Sequence, residues 1–181
     1  MLPLEGLLRL AGYSVGCMES VRFSLVPAVY VIFRRRVEGE RQVLLQLRQG
    51  TGFMDGHWAC GAAGHVEAGE TFFEAAVREA EEELGVTIRE EDLVPLTVVH
   101  RRHEDAQPIN QRVDVYFACD WWEGELSLRE PLKTAEFRWS NLTDLPAPVV
   151  PHERRVFQAL AEGELPQILS WGFRQPASTE N

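Results

Sequence analysis

The apolar and polar residues of this chain fall into blocks, and the blocks predict its elements. Phe23 to Phe33 is rich in Val, Phe and Tyr and reads as a strand. The charged Arg34–Arg41 stretch turns the chain back into a second strand, Gln42–Arg48. Gln49–Gly56 bears glycines and reads as a loop, and Trp58–Ala63 as extended. Between Phe72 and Leu84 the period changes. Phe73, Ala76, Val77, Ala80 and Leu84 recur at helical spacing and give one apolar face. Thr71, followed three residues on by Glu74, predicts a capping box, and Gly85 a left-handed C-terminal cap. Leu93–His100 and Arg112–Cys119 read as strands joined by the polar Arg101–Gln111 loop; Val113, Val115 and Phe117 alternate with Asp114 and Tyr116 in the second. A short strand, Ala135–Trp139, precedes a helix over His152–Ala161 that Pro151 opens and Gly163 stops. Strands interspersed with two helices predict an α/β/α sandwich built on a mixed sheet. Residues 1–20, with a short helix around Leu4–Leu10, read as an N-terminal extension, 21–172 as one domain, and 173–181 as a polar, mobile tail.

Composition narrows the classes open to such a domain. At 181 residues, 45% hydrophobic, the chain is long enough to bury a real core. Its longest clean apolar run, Leu25–Phe33, is far shorter than the roughly 20 residues a membrane helix needs. Glu5 and Arg9 interrupt the apolar start, and no secretory leader is predicted. Three widely spaced cysteines form no CxxC pair, which points to a reducing cytoplasm. With 18 basic and 28 acidic residues the net charge is −10, which argues against nucleic-acid or membrane partners. The sequence leaves the assembly open between monomer and homodimer.

That charge is not evenly spread. Gly64 to Val86 holds seven acids and one base, a net −6, leaving −4 for the rest of the chain. Glu79, Glu82 and Glu83 are spaced i, i+3 and i+4 and share a helix face, where like charges repel by a few tenths of a kcal/mol per pair. Arg78 cannot neutralise all three. Taken alone, the cluster reads equally as a solvated acidic face or as a site for a hard divalent cation, which favours carboxylate oxygens.

The surrounding spacing decides between them. Gly64, five residues, Glu70, seven residues, and then Arg78-Glu79-Ala80-Glu81-Glu82-Glu83-Leu84-Gly85-Val86 resembles the Nudix box throughout. Seven fixed identities at background frequencies coincide about once in 10⁸ start points. The resemblance implies a Nudix α/β/α sandwich in which the box forms a loop–helix–loop holding Mg²⁺ or Mn²⁺, and an activity that cleaves a nucleoside diphosphate linked to a further group. By the same carry-over, Glu79, Glu82, Glu83 and the carbonyl of Ala63 would be metal ligands. Gly64, Glu70 and Gly85 would be structural, with Arg78 orienting the helix and its carboxylates. Glu79 or Glu82 would be the general base, with Glu130 or Glu136 as an outside contributor, so that Glu82→Gln should cut turnover by orders of magnitude in a folded protein.

The flanks resemble the oxidised-purine nucleoside triphosphatases within that family, in Gly52–Trp58 and in Glu130–Trp139. This implies a nucleoside triphosphate as the small-molecule substrate. Where that group has an acidic pair after a proline, this chain has Pro151-His152-Glu153, so the first acid is replaced. His152 and Glu153 are therefore either base-reading residues or ordinary first-turn residues. Arg48 is a candidate phosphate contact, and Trp58 either a core residue or a stacking platform. His100-Arg101-Arg102-His103 reads as a loop edge rather than a metal pair. ADP-ribose hydrolases usually carry a proline about 16 residues after the box, and Arg102 stands there. ADP-ribose, another nucleotide sugar or dinucleotide, and a non-catalytic ligand sensor remain the competing readings.

Overall fold

A computed structural model describes residues 23–103 and 107–173. The expected helix near Leu4–Leu10 and the tail beyond Phe173 lie outside them. Eight strands form the sheet: β1 (Val26–Val37), β2 (Glu40–Arg48), β3 (Trp58–Cys60), β4 (Ala62–His65), β5 (Leu93–Arg102), β6 (Gln111–Cys119), β7 (Thr134–Asn141) and β8 (Ile168–Trp171). Two helices, α1 (Phe72–Leu84) and α2 (Pro151–Glu162), complete the architecture.

The order along the sheet is β3-β2-β1-β6-β5-β8, with β4 added on β1 and β7 on β2. The sheet is mixed: β1–β6 and β5–β8 are parallel and the other pairs antiparallel. β1 is the hub. Residues 28–31 pair with β4, 34–37 with β2, and 26–33 with β6. The unbroken buried run from Ala28 to Phe33 follows, because both faces are covered.

Each face carries its own core. Val29, Val31, Phe33 and Phe117 pack under α1 with Ala75, Ala76, Ala80 and Leu84. Ala28, Tyr30, Ile32, Val99 and Tyr116 pack with Val156 and Phe157 of α2. The expected α/β/α sandwich is therefore the observed one.

Differences from the sequence reading have local causes. The first strand runs on through Arg34–Val37 because their backbone pairs with Glu40–Val43, whatever the side-chain charge. The Trp58–Ala63 segment splits at Gly61, where a Cβ would press on the Leu44 carbonyl. Arg101 and Arg102, assigned to a loop, extend β5 against Gln111 and Arg112. The four-residue β8, too short to stand out, was not anticipated. Asp114 and Tyr116, the apparently outward positions of β6, are wholly buried because α2 covers that face. Among the described residues, no helix is long and apolar enough to cross a membrane.

Candidate active site

The carboxylates of α1 are positioned by local chemistry. Thr71 Oγ1 accepts the Glu74 N–H at 3.1 Å, while the Glu74 carboxylate accepts the Thr71 N–H at 2.7 Å, closing the expected capping box. Gly85 adopts φ 70° and donates its N–H to the Glu81 carbonyl at 2.9 Å, ending the helix in the left-handed region that favours glycine.

Arg78 ties the helix to the loop before it. Its Nε and Nη2 fork onto Glu70 at 2.7 and 3.1 Å, and Nη2 also reaches the His65 carbonyl at 3.0 Å. Nη1 holds Glu79 at 2.7 Å and Glu82 at 3.1 Å. Gly64 leaves the space that Glu79 fills, since a Cβ there would overlap its carboxylate.

Glu79 and Glu83 face one cavity of about 410 Å³, which Ala63 and Gly64 also line. Burial raises the Glu79 carboxyl above its usual range, against the opposing pull of Arg78. Burial pushes Glu83 up to about 8, with Glu79 and Glu130 adding and the Ala63 N–H opposing. That N–H donates to Glu83 Oε2 at 2.9 Å, and Gln46 Nε2 donates to the same oxygen at 3.3 Å.

Two carboxyls that burial pushes towards the neutral form, facing one cavity, suit a divalent cation that would compensate their ionised forms, and the donors, with the neighbouring Ala63 carbonyl, are all oxygen. Among the described residues no three His, Cys, Asp or Glu side chains already surround one point. Glu82 is the member turned away, its side chain 58% exposed and paired with Arg78. Glu79, Glu83 and Ala63 fit such an ion, with Glu82 able to join by leaving Arg78.

The remaining candidates separate. Arg48 lines the cavity, held by the Phe53 carbonyl at 3.0 Å and Thr51 Oγ1 at 3.1 Å. Glu153 also lines it from the first turn of α2, its carboxylate accepting the Cys60 N–H at 2.5 Å. Burial raises Glu153 to about 7, opposed by that hydrogen bond, Arg48 and Arg101. His152 is buried beside it, 3.4 Å from the Tyr30 hydroxyl. Burial, followed by Arg101, Arg112 and Arg48, holds its imidazole well below the ordinary value, so it is neutral. Trp58 is buried in the core with Arg138 stacked 4.5 Å above its ring. Glu130 binds Lys133 at 2.6 Å on the rim, and Glu136 pairs with Arg138 on the exposed face of β7.

Sequence reasoning missed the inner wall of the cavity. Tyr30, Arg101 and Arg112 line it, and Lys133 and Thr134 close it near α1. Arg101 is held by a buried ion pair to Asp114. The available signal was Asp114 itself, a charge set between valines in a strand covered on both faces.

A family model described as the NUDIX domain matches residues 24–160. An ADP-ribose pyrophosphatase from Methanocaldococcus jannaschii is 32% identical over 139 residues, 76% of this chain and 75% of that protein. The solved structure of a MutT NUDIX hydrolase from Burkholderia pseudomallei is 28% identical, with a TM-score of 0.60 over 73% of this chain and 96% of that one. The NUDIX domain of Shewanella oneidensis NrtR, solved with ADP ribose, shares the fold at 17% identity, with a TM-score of 0.63 over 77% of this chain and 88% of that one.

Proposed function

This chain belongs to the NUDIX family and is a hydrolase of pyrophosphate bonds, and from that premise we propose that it cleaves nucleoside triphosphates to a monophosphate and pyrophosphate, using a divalent ion held by Glu79, Glu83 and the Ala63 carbonyl, with Glu82 completing the set. One observation carries the reading: two buried carboxyls of α1 open onto the same cavity as the guanidinium of Arg48. Such a cavity offers both elements a polyphosphate needs, oxygens for a cation and fixed donors for phosphate.

A bound divalent ion, Mg²⁺ or Mn²⁺, would neutralise phosphate charge and lower the pKa of the attacking water. The chain supplies the rest. Glu79 would accept the proton of the attacking water as general base through the carboxylate oxygen that the ion leaves free. Arg78 fixes the Glu79 rotamer, and through Glu70 fixes the loop that carries Ala63 and Gly64. Glu153, protonated for part of its population near neutrality, gives the α2 end of the cavity a group able to donate or accept towards a base, with the neutral His152 packed beside it.

The M. jannaschii relative favours a second reading, hydrolysis of ADP-ribose. The deciding experiment identifies by ion-exchange chromatography the products formed with Mg²⁺ from nucleoside triphosphates, oxidised purine triphosphates, ADP-ribose, dinucleoside polyphosphates and CoA. Pyrophosphate from triphosphates, abolished by EDTA, is the expected result. AMP and ribose 5-phosphate from ADP-ribose alone would establish the second reading, and cleavage of none would favour a ligand sensor.

A further inference from the structure

Arg101 and Arg112 stand directly opposite each other on β5 and β6, and both line the cavity. Like charges so paired across a ladder destabilise a sheet. Here the pair is largely withdrawn from solvent: Arg101 is 5% exposed and Arg112 is half-buried. Each guanidinium is nevertheless fixed. Arg101 is bound through Nε to the buried Asp114 and lies 3.4 Å from the Tyr30 hydroxyl through Nη2. Arg112 donates to the Ile109 carbonyl at 3.1 Å and to His65 Nε2 at 2.5 Å.

The partners differ in what they do to charge. Asp114 neutralises Arg101, whereas a carbonyl and a neutral ring nitrogen orient Arg112 without cancelling it. Arg48 is held in the same way, by a carbonyl and a hydroxyl. Among the described residues neither Arg48 nor Arg112 forms an ion pair with a carboxylate. A protein of net −10 thus keeps in one cavity two oriented guanidiniums that bind no carboxylate directly, with that of Arg101 beside them. Such forks match a phosphate in geometry as well as charge.

We infer that the Arg101–Arg112 rung, acting with Arg48, is an anion clamp for a substrate phosphate that the metal-binding carboxylates do not hold. The inference rests on the reading of this cavity as the hydrolytic site, and it deepens that reading. The preferred substrate carries a third phosphate, as a nucleoside triphosphate does, rather than two uncharged ends flanking a diphosphate, as in ADP-ribose. Arg112 touches the phosphate. Asp114 is a positioning residue that holds Arg101 in the wall through Nε and balances its charge beside Arg112.

The test compares the full-length wild type with Arg112→Gln, Arg112→Lys and Asp114→Asn, with circular dichroism as the control for folding. Steady-state kinetics with Mg²⁺ should show KM for nucleoside triphosphates rising about tenfold or more in Arg112→Gln, relative to any change for ADP-ribose. Arg112→Lys should recover part of that loss, and kcat should move much less than KM. Equal KM changes for both substrates, or none, would overturn the clamp. Calorimetric binding of inorganic tripolyphosphate in EDTA provides a readout independent of turnover. If wild type cleaves nothing yet binds tripolyphosphate severalfold more tightly than Arg112→Gln, the clamp stands and the hydrolytic reading falls. If tripolyphosphate binding is the same in both proteins, the clamp falls whatever the enzyme cleaves. Should Arg112→Gln fail to fold, Arg112→Lys and Asp114→Asn carry the same comparison.

Discussion

Replacing Glu153 by Gln should flatten the dependence of stability on pH. Glu153 is buried at the start of α2, and its carboxyl titrates near 7 in the folded protein against an ordinary value of 4.5. Because the folded pKa is raised, the native state binds more protons than the unfolded chain between those two values. Stability from this group is therefore fully present below the unfolded pKa and is lost as pH rises through 7. At 1.36 kcal/mol per unit, the interval is worth about 3 kcal/mol between pH 4.5 and 8. Glutamine retains an acceptor for the Cys60 N–H but has no proton to lose. Its extra amide donors shift the overall stability by a constant and leave the slope untouched. Urea unfolding of both proteins at intervals from pH 5 to 8.5 isolates the effect, since titrations common to the two cancel in the difference. The variant should gain about 3 kcal/mol relative to wild type across that range, or about 6–12 °C in Tm for a domain of this size. A difference that stays constant with pH, or one that changes in favour of wild type as pH rises, would refute the argument.

Three further outcomes follow from the cavity. Mg²⁺ binding at pH 7 should release close to one proton, because Glu83 titrates near 8 and must ionise to ligate; calorimetry in buffers of different ionisation enthalpy measures the release, and Glu83→Gln should abolish it. Glu79→Gln should lower kcat by about 10²–10⁴-fold with little change of thermal stability in EDTA, since a buried charge is removed while Arg78 keeps Glu70 and Glu82 as partners. Gly64→Ala places a methyl in the space of the Glu79 carboxylate; it should cost about 1–3 kcal/mol in chemical denaturation and depress kcat more than KM.

What was legible in the sequence tracks what is local. The α1 boundaries, its capping box and its Gly85 cap all depend on residues within a few positions of one another, and all were readable. So were the α/β/α layers, because two period-3.6 segments among strands leave few alternatives. The inner cavity wall was not readable, because it depends on register. Arg101 and Arg112 lie eleven positions apart and meet only once β5 and β6 pair. Asp114 looked like the polar half of an alternating strand, since nothing in its neighbours announces the helix that covers it. The outward turn of Glu82 was likewise hidden: helical geometry alone puts Glu79, Glu82 and Glu83 on one face, and only the choice of Arg78 partners separates them.

The division of the interior into two cores that share no residue has a consequence for how such a protein can diversify. On the proposed reading, the α1 core supports the metal-binding carboxylates, while the α2 core supports Tyr30, Asp114 and Glu153 at the opposite end of the cavity. Residues that lie far apart and share no partners contribute to stability nearly additively. A lineage can therefore rework the α2 layer to accept a new leaving group without retuning the packing beneath the reactive helix. β1 is the exception, since its alternate residues enter both cores.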